Sequence, residues 1–405
     1  MAEVAVIGGG PAGLACAIEL RLRGISVQLI ERERETGGIP RHSAHTGFGL
    51  RDLRRVMSGP RYARRYSELA RDAGVEIATE TMVTGARGRR LELSGPGGRS
   101  QIEPAAVVLA TGCRERPRAA RLVPGSRPAG VMTTATLQQL VHLRSERPGR
   151  RALIVGAEHV SFSAVMTLAH AGASTAALLT ELPRHQSITG VAAAAALRYR
   201  ARVRPRTAIA AIHGGDRVEE VEVRDLDSGA LDSLRCDLVV FTAGWTPDHE
   251  LAVAAGLDLD PGSRGPRIDP ALRTELPGVF AAGNLLHPAE TADVCALDGR
   301  HAARSVAAYL EGSPWPRQVP IAVSSPLNWV SPNLALAVNH PPPRGHFLIR
   351  SSDFLHRPRI EARQAGRLLW HGRLRRLVPG RSASIPPGWA ARIDPEAGPV
   401  RVQVR

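Results

Sequence analysis

A glycine-rich turn near the N-terminus constrains this chain more than any other feature. Residues 8–13 read Gly-Gly-Gly-Pro-Ala-Gly and lie between a buried-strand pattern, Val4 to Ile7, and a helix pattern, Leu14 to Arg23. Glycines in such a turn allow the tight bend, the approach of the backbone to a pyrophosphate and the close packing of helix on strand. The free N–H groups and the positive dipole end of the helix favour phosphate. The pattern therefore predicts a dinucleotide-binding βαβ unit.

The next apolar run ends in an acidic residue at the position that a dinucleotide site requires. Glu31 lies 31 − 13 = 18 residues after Gly13, close to the roughly 20 residues expected of such a site. Its carboxylate can accept hydrogen bonds from a ribose 2′-OH and would repel the additional phosphate of NADP. We therefore expect an adenine dinucleotide without a 2′-phosphate.

The positive charge of the chain is weak evidence for a nucleic-acid partner. All 53 basic side chains are arginine and none is lysine, although the formal net charge is +15. Uniform use of arginine is typical of genome-wide codon bias, so we expect no nucleic-acid binding, and an acidic partner subunit or an anionic substrate stays open. The absence of lysine also excludes Schiff-base chemistry and a P-loop lysine.

The cysteines indicate neither a metal centre nor a dithiol. Cys16, Cys113, Cys236 and Cys295 are far apart and form no C-x-x-C, so we expect no zinc or iron–sulfur site. We expect Cys16 and Cys236 in the core. No apolar run approaches the roughly 18 residues of a membrane span, and residues 1–7 carry no charged leader pattern. These features predict a soluble cytoplasmic protein.

The strand–turn–helix–strand pattern of the N-terminus occurs a second time. Residues 151–156 repeat the strand and glycine turn, a helix pattern runs from Val160 to Ala171, and a strand pattern from Ser174 to Leu179. The repeat predicts an α/β fold with two Rossmann-like domains, one inserted in the other. Short alternating runs near the C-terminus predict a small β-rich domain. The expected domains are 1–113 with 245–312, then 114–244, and finally 313–405.

Four landmarks in this order resemble the pyridine nucleotide–disulfide oxidoreductase superfamily: the first glycine turn with Glu31, Gly37-Gly38, Ala110-Thr111-Gly112 and Gly283-Asn284. The resemblance implies FAD on the N-terminal domain. Asn284 replaces an acid that in the family binds the flavin ribitol, and the helix near Thr291 would direct N–H groups at the flavin pyrimidine. The FAD-binding residues implied are Gly8, Gly10, Pro11, Ala12, Gly13, Glu31, Arg32, Gly38, Arg41, Val83, Ala110, Thr111, Gly112, Gly283, Asn284, Ala292 and Asp293.

The redox disulfide of the disulfide reductases is absent. Pro40 and His45 occupy the places where those enzymes carry cysteines, so a dithiol relay is excluded. His45 and His42, with Arg41, are the candidate acid, base or substrate-anion groups. The alternative is that they only contact phosphate or ribityl oxygens of FAD.

The second fingerprint departs from the family pattern. It reads Gly156-Ala157-Glu158-His159-Val160-Ser161, with Glu158 where a glycine should let a pyrophosphate approach. A desolvated carboxylate at that point repels phosphate by several kcal/mol. We expect a scaffold domain without nucleotide, while the binding of NAD(P)H, another adenylate or a partner subunit by this domain stays open.

The loop of residues 37–49 resembles one branch of the superfamily, the FAD subunits of bacterial amine, opine and hydroxyproline dehydrogenases. The resemblance implies an FAD-dependent oxidoreductase that exchanges a hydride between flavin N5 and a small amine, amino acid, opine or hydroxy acid, together with a partner oxidoreductase subunit or electron carrier. The alternatives are an NAD(P)H-dependent flavin reductase and a non-catalytic FAD-binding assembly subunit. Residues 313–405 contain no cysteine, so the iron–sulfur segment of several relatives is absent from them. Trp329, Asn333 and His340 are expected in core or turn positions rather than on a substrate or partner surface.

Overall fold

The computed structural model describes residues 2–336 and 340–405. Its first part is built on parallel strands in the order β9-β1-β2-β5. The central strands β1 and β9 are wholly apolar and buried, as expected for parallel strands that are covered on both faces. The elements are β1 (Val4–Ile7), α1 (Pro11–Leu22), β2 (Val27–Ile30), β3 (Thr46–Phe48), β4 (Met57–Ser58), α2 (Gly59–Asp72), β5 (Glu76–Ala78), β6 (Met82–Arg87), β7 (Arg90–Gly95), β8 (Gly98–Ile102), β9 (Ala106–Leu109) and β10 (Cys113–Glu115).

The middle of the chain forms a second parallel sheet, in the order β11-β18-β12-β13-β14, beside a three-stranded antiparallel sheet, β15-β16-β17. Both are connected by short loops. The elements are β11 (Val131–Thr133), α3 (Thr134–Leu143), β12 (Arg151–Val155), α4 (His159–His170), β13 (Ser174–Leu179), α5 (Thr189–Tyr199), β14 (Val203–Arg204), β15 (Thr207–Gly214), β16 (Val218–Asp225), β17 (Leu231–Arg235) and β18 (Leu238–Phe241).

The chain then returns to the first sheet. The elements of this return are β19 (Trp245–Pro247), α6 (Glu250–Ala254), β20 (Val279–Ala281) and α7 (Ala292–Leu310). β20 adds to the edge of the first sheet beside β9, and β19 pairs antiparallel with β10 to form the two-stranded link between the domains. This connectivity confirms the predicted α/β fold with one Rossmann-like unit inserted in the other.

Residues after α7 form the predicted β-rich unit. Its sheets have the orders β23-β21-β30-β26-β27, β22-β24-β29 and β25-β28, and Phe347 and Trp389 lie in its core. The strands are β21 (Gln318–Val323), β22 (Leu327–Ser331), β23 (Leu334–Leu336), β24 (Phe347–Ser351), β25 (Leu355–His356), β26 (Arg359–Gln364), β27 (Arg367–Arg373), β28 (Arg376–Leu377), β29 (Ala383–Ile385) and β30 (Val400–Val404).

Polar side chains attach this C-terminal unit to the first domain. Asn333 is 5% exposed, and its Oδ1 accepts a hydrogen bond from the Ile268 N–H at 2.8 Å. Arg344 pairs with the buried Asp298 on α7. Asn333 therefore has the core position that was expected of it.

Glycines set the close approach of α1 to its neighbours. A Cβ at Gly13 would lie 1.9 Å from the Gly8 carbonyl oxygen, and one at Gly299 on α7 would lie 2.0 Å from the Ala12 carbonyl oxygen. α1 begins at Pro11, three residues before the predicted start at Leu14, because proline fits the first helical position, where its missing N–H costs nothing.

We predict that Gly299→Ala destabilises the protein by about 1–3 kcal/mol, because the added methyl must separate α1 from α7. Urea denaturation followed by circular dichroism measures this effect. Gly190→Ala in α5 is the matched control, since nothing lies within 4 Å of a Cβ there. Equal stability of the two variants would contradict the packing argument.

Candidate functional site

The first glycine turn leaves an open space at the N-terminus of α1. Gly8 has a φ of +105°, which favours glycine, and a Cβ built on Gly10 would have no atom within 4 Å. Three separate segments meet here, since a Cβ on Gly38 would lie 3.0 Å from the Gly10 Cα and one on Gly283 would lie 2.7 Å from the Ala12 Cβ. The structure thus brings the Gly-Gly pair and the Gly283-Asn284 motif to the N-terminal fingerprint, as the order of motifs in the sequence indicated.

The Glu31 carboxylate is held at the carboxyl end of β2. It is 8% exposed and accepts hydrogen bonds from the N–H groups of Gly9 at 2.7 Å and Glu33 at 2.8 Å. A carboxylate has about four acceptor sites, so capacity for a ribose hydroxyl remains. Its neighbour Arg32 is exposed, with Nη2 3.8 Å from an Asp248 oxygen.

The end of β9 lies beside the same open space at Gly10, which we call the first crevice. The Thr111 hydroxyl donates to the Asp248 carbonyl at 2.7 Å. Gly112, which follows it, has a φ of +78° and no atom within 4 Å of a Cβ. Ala110 is buried at the strand end, and Val83 is buried on β6 in the core of the first domain.

The turn before α7 is closed by Asn284. Its amide donates to the Glu290 carbonyl at 3.2 Å and accepts from the Glu290 N–H at 2.8 Å. Ala292 and Asp293 form the first turn of α7, where their N–H groups are unpaired within the helix. The Asp293 carboxylate, 3% exposed, is paired with the Arg51 guanidinium at 3.2 Å. Sequence analysis missed Arg51, because nothing in its local pattern relates it to a residue 242 positions away.

A buried network fixes the segment that carries Arg51. The hydroxyls of Tyr62 and Tyr66 both donate to Asp52 Oδ2, at 2.6 and 2.7 Å. Burial is the main reason that the pKa of each tyrosine lies well above its ordinary value, so both remain donors. The Tyr62 hydroxyl also lies 3.3 Å from the Ala292 carbonyl. The two tyrosines are core residues, and they also tie the loop to the start of α7.

The two candidate catalytic histidines have different surroundings. His42 is 4% exposed, and burial lowers its pKa to about 4, so it is neutral near pH 7. Its Nδ1 has no hydrogen-bond partner among the described residues. His45 is half-buried, with Nδ1 2.9 Å from the Thr46 carbonyl and its ring 5.1 Å from the Phe48 ring. A histidine with a pKa of about 4 is a weak base near pH 7, and a catalytic role for either histidine stays a prediction.

Arg41 lies in the same short helical turn, Ile39–His42. Its Nη1 donates to the Glu35 carbonyl at 3.1 Å, and its Nη2 lies 3.4 Å from the Glu35 carboxylate. This pairing holds the residues after Gly38 in place beside the first glycine turn.

The second fingerprint is closed by Glu158 and a tryptophan. Glu158 is the N-cap of α4 and forms a capping box with Ser161. Its Oε1 also accepts a hydrogen bond from the Trp245 indole at 3.1 Å. Burial raises the pKa of Glu158 to about 7, an effect that Glu115 adds to and Trp245 opposes. A carboxylate and an indole therefore stand at the helix N-terminus where a pyrophosphate would bind.

Arg121 lies at the end of β18, the strand that pairs with β12 of the second fingerprint. Its Nη2 donates to the Thr242 carbonyl at 2.6 Å and also to the Ala243 carbonyl, and its guanidinium lies 5.3 Å from the centre of the Phe241 ring. Sequence analysis missed this arginine, which lies outside every motif.

A third cluster lies where the C-terminal unit meets the other two domains. Arg350 on β24 is 7% exposed and donates to the Pro288 carbonyl at 2.9 Å. Its Nη2 lies 3.3 Å from Glu290 and its guanidinium 4.8 Å from the Trp329 ring. Trp329 also stacks on His287, at 4.8 Å. The signal that sequence analysis overlooked is a single charged residue directly after three apolar residues, Phe347, Leu348 and Ile349.

Neither a metal site nor a membrane helix is found within residues 2–336 and 340–405. In this part of the chain, no three His, Cys, Asp or Glu side chains are arranged to hold a metal ion. No helix in it has both the length and the apolar character needed to cross a bilayer.

Comparison with known proteins gives matches along most of the chain. The family model of the pyridine nucleotide-disulphide oxidoreductases matches residues 2–323. A ferredoxin–NADP reductase from Salinispora tropica is 29% identical over 70% of this chain and 85% of its own length. An opine oxidase subunit from Agrobacterium tumefaciens is 26% identical over 70% of this chain and 61% of its own. Thioredoxin reductase from T. acidophilum superposes with a TM-score of 0.65 at 18% identity, over 77% of this chain and 99% of that one.

We predict that Glu158→Gln changes the pH dependence of stability. Between the ordinary carboxyl pKa of 4.5 and a pKa of about 7, the unfolded chain releases a proton that the folded chain keeps. The stability contribution of Glu158 therefore falls as pH rises through this range and stays low above it. The melting temperature of the variant minus that of the parent should increase from pH 5 to pH 8.

The groups that face Glu158 are Glu115, Arg121 and Arg350, besides the Trp245 indole. Glu361→Gln is the matched control, because Arg363 lowers the pKa of Glu361 and this upward trend is not expected. A melting-temperature difference that is constant across the pH range would contradict the assignment.

Proposed function

We propose that this chain, which belongs to the pyridine nucleotide-disulphide oxidoreductase family, oxidises or reduces a small organic substrate at an FAD held by its N-terminal domain. The family consists of FAD-dependent oxidoreductases. The substrate would be an amine, amino acid, opine or hydroxy acid, and the chain would work as one subunit of a multi-component dehydrogenase.

The contrast between the two fingerprints carries this proposal. The first has open space above Gly10, whereas the second holds the Glu158 carboxylate against the Trp245 indole. A dinucleotide needs the backbone of such a turn to approach its pyrophosphate. One dinucleotide therefore fits this chain at the first turn, and reducing equivalents would reach it from an organic substrate rather than from a nicotinamide.

The residues of the first turn fit FAD in chemical terms. Gly8, Gly10 and the N-terminus of α1 would hold the pyrophosphate, and Glu31 would accept from the adenosine ribose. FAD supplies hydride transfer when bound. The first turn of α7, at Ala292 and Asp293, would present N–H groups to the flavin, with Arg51 balancing the charge of the Asp293 carboxylate.

Two observations support a role within a larger assembly. The relative from Agrobacterium tumefaciens is itself named as one subunit of an opine oxidase. In addition, residues 313–405 contain no cysteine with which to bind an iron–sulfur cluster. A partner chain or electron carrier would then remove electrons from this chain.

The similarity to a ferredoxin–NADP reductase supports a second candidate, an NAD(P)H-dependent reductase that passes electrons to a partner. It requires a nicotinamide dinucleotide to displace the Trp245–Glu158 pair. Substrate titration distinguishes the two candidates.

We predict that Gly10→Asp abolishes FAD retention while the protein still folds. No atom lies within 4 Å of a Cβ at Gly10, so the new side chain meets no protein group, but its charge would repel the pyrophosphate. The ratio of FAD to protein after purification measures retention, and the melting temperature of the apoprotein measures folding. Gly97→Asp is the control, at a glycine with equally open space. A stoichiometric yellow Gly10→Asp protein would show that the assignment is wrong.

We predict that organic substrates reduce the bound flavin and that nicotinamides do not. Anaerobic titration of the flavin absorbance with NADH, NADPH, amino acids, opines and hydroxy acids measures this directly. Glu158→Gly restores the glycine of the fingerprint and shows whether the carboxylate alone blocks a nicotinamide. Rapid bleaching of the parent by NADH or NADPH would favour the reductase, and bleaching by none of these compounds would favour a structural flavin.

A further inference from the structure

Three domains contribute polar groups to one junction beside the first crevice. The first domain supplies Cys113, which directly follows the open Gly112, and the second domain supplies Glu158. The C-terminal unit supplies Arg350 on β24. The strand that begins at Cys113, β10, pairs with β19, whose Trp245 indole donates to Glu158 at 3.1 Å. Cys113 is also hydrogen-bonded to the backbone of Ala289, next to Pro288, whose carbonyl accepts from Arg350 at 2.9 Å. These contacts connect the three groups.

Arg350 has a free donor in this junction. Its Nη1 donates to Pro288, and its Nη2 donates to Ser382 at 3.0 Å and to Glu290 at 3.3 Å. Its Nε is buried and has no hydrogen-bond partner among the described residues. The side chain as a whole is only 9% exposed. An unpaired buried donor on a charged group costs free energy unless a ligand satisfies it. A carboxylate is the partner that a guanidinium accommodates best.

Glu158 supplies a negative group without a contacting cation. It accepts from the neutral Trp245 indole, and Arg350 acts on it through space rather than through a hydrogen bond. Glu115, a second buried carboxylate, lies near it, and the nearby Arg121 already donates to three backbone carbonyls. The acid that closes the fingerprint to phosphate therefore has capacity for an ammonium group.

The groups of this junction differ in their exposure to solvent. Cys113, Trp245 and Glu158 are each half-buried, whereas Arg350, Trp329 and His287 are buried behind them. His287 is kept neutral, because burial and the two neighbouring arginines, Arg350 and Arg344, lower its pKa well below the ordinary value. The junction thus offers one buried cationic donor, Arg350, and one half-buried anionic acceptor, Glu158.

We propose that this junction binds the substrate, that Arg350 binds its carboxylate, and that Glu158 binds its amine. The proposal rests on the proposed function and narrows the substrate class to amino and imino acids and their N-substituted derivatives. A hydroxy acid satisfies Arg350 but leaves Glu158 without a cation. The Glu158 carboxylate would also accept a proton from the bound ammonium group.

Binding is tested on the FAD-loaded protein by two readouts that do not require turnover: the ligand-induced shift in melting temperature and perturbation of the flavin absorbance band. The probes are glycine, L-alanine, L-proline, sarcosine and octopine. Each is compared with analogues that lack the amine or the carboxylate: propionate, L-lactate and pyrrolidine. We expect at least one amine carboxylate to bind tenfold or more tightly than any of the analogues.

Variants assign the two groups. Arg350→Gln should weaken carboxylate ligands about 10- to 100-fold, as expected for loss of charge-assisted hydrogen bonds, and should leave pyrrolidine binding unchanged. Glu158→Gln should remove the preference for amine carboxylates over L-lactate and leave propionate binding unchanged. Arg350→Lys should give an intermediate effect, since it keeps the charge and loses the planar fork.

Two buried residues outside the junction provide matched controls. Arg118 is 7% exposed and donates to three backbone carbonyls, and Glu361 is 4% exposed and paired with Arg363. Arg118→Gln and Glu361→Gln should bind ligands like the parent. If Arg350→Gln does not fold, Glu158→Gln and Arg350→Lys decide the assignment.

The inference is overturned if the parent binds none of the amine carboxylates, or if the Arg350 and Glu158 variants bind them as the controls do. Those results leave the proposed function intact when an organic compound still bleaches the flavin. Bleaching by NADH alone would instead remove the proposed function itself.

Discussion

The packing of α1 between the first sheet and α7 is the contact on which the rest of the structure depends. The carbonyl oxygens of Gly8 and Ala12 approach positions where any side chain on Gly13 or Gly299 would collide with them. This contact holds the helix N-terminus at the strand ends, and it places Gly283 against Ala12. The open space at Gly10 exists because these elements meet around it, so the cofactor crevice is a consequence of backbone packing.

The second Rossmann-like unit shows what one residue does to the same local geometry. Its strand, turn and helix are retained, yet Glu158 stands where a glycine would leave room for phosphate. The carboxylate is fixed by the capping box and by the Trp245 indole. The helix N-terminus that would receive a phosphate in such a fold is therefore occupied by a carboxylate and an indole.

The C-terminal unit joins the other domains through charged groups. Arg344 pairs with Asp298 on α7, and Arg350 contacts the loop before that helix. Such buried charges are expensive to leave unpaired, and each of the two arginines has a carboxylate partner, Asp298 for Arg344 and Glu290 for Arg350. The family model ends at residue 323, whereas Arg350 lies beyond it. The part of the chain outside the family match therefore supplies the proposed carboxylate-binding group.

The sequence by itself determined the two Rossmann-like units, the positions of most of their strands and helices, and the first glycine turn with Glu31. These features depend on local periodicity and on residues close together in the chain. Only the tertiary structure decided that Arg51 pairs with Asp293, that Trp245 covers Glu158, and that Arg350 reaches the junction. Each of these contacts joins residues far apart in sequence, and their distances depend on how whole domains pack, which no local pattern encodes.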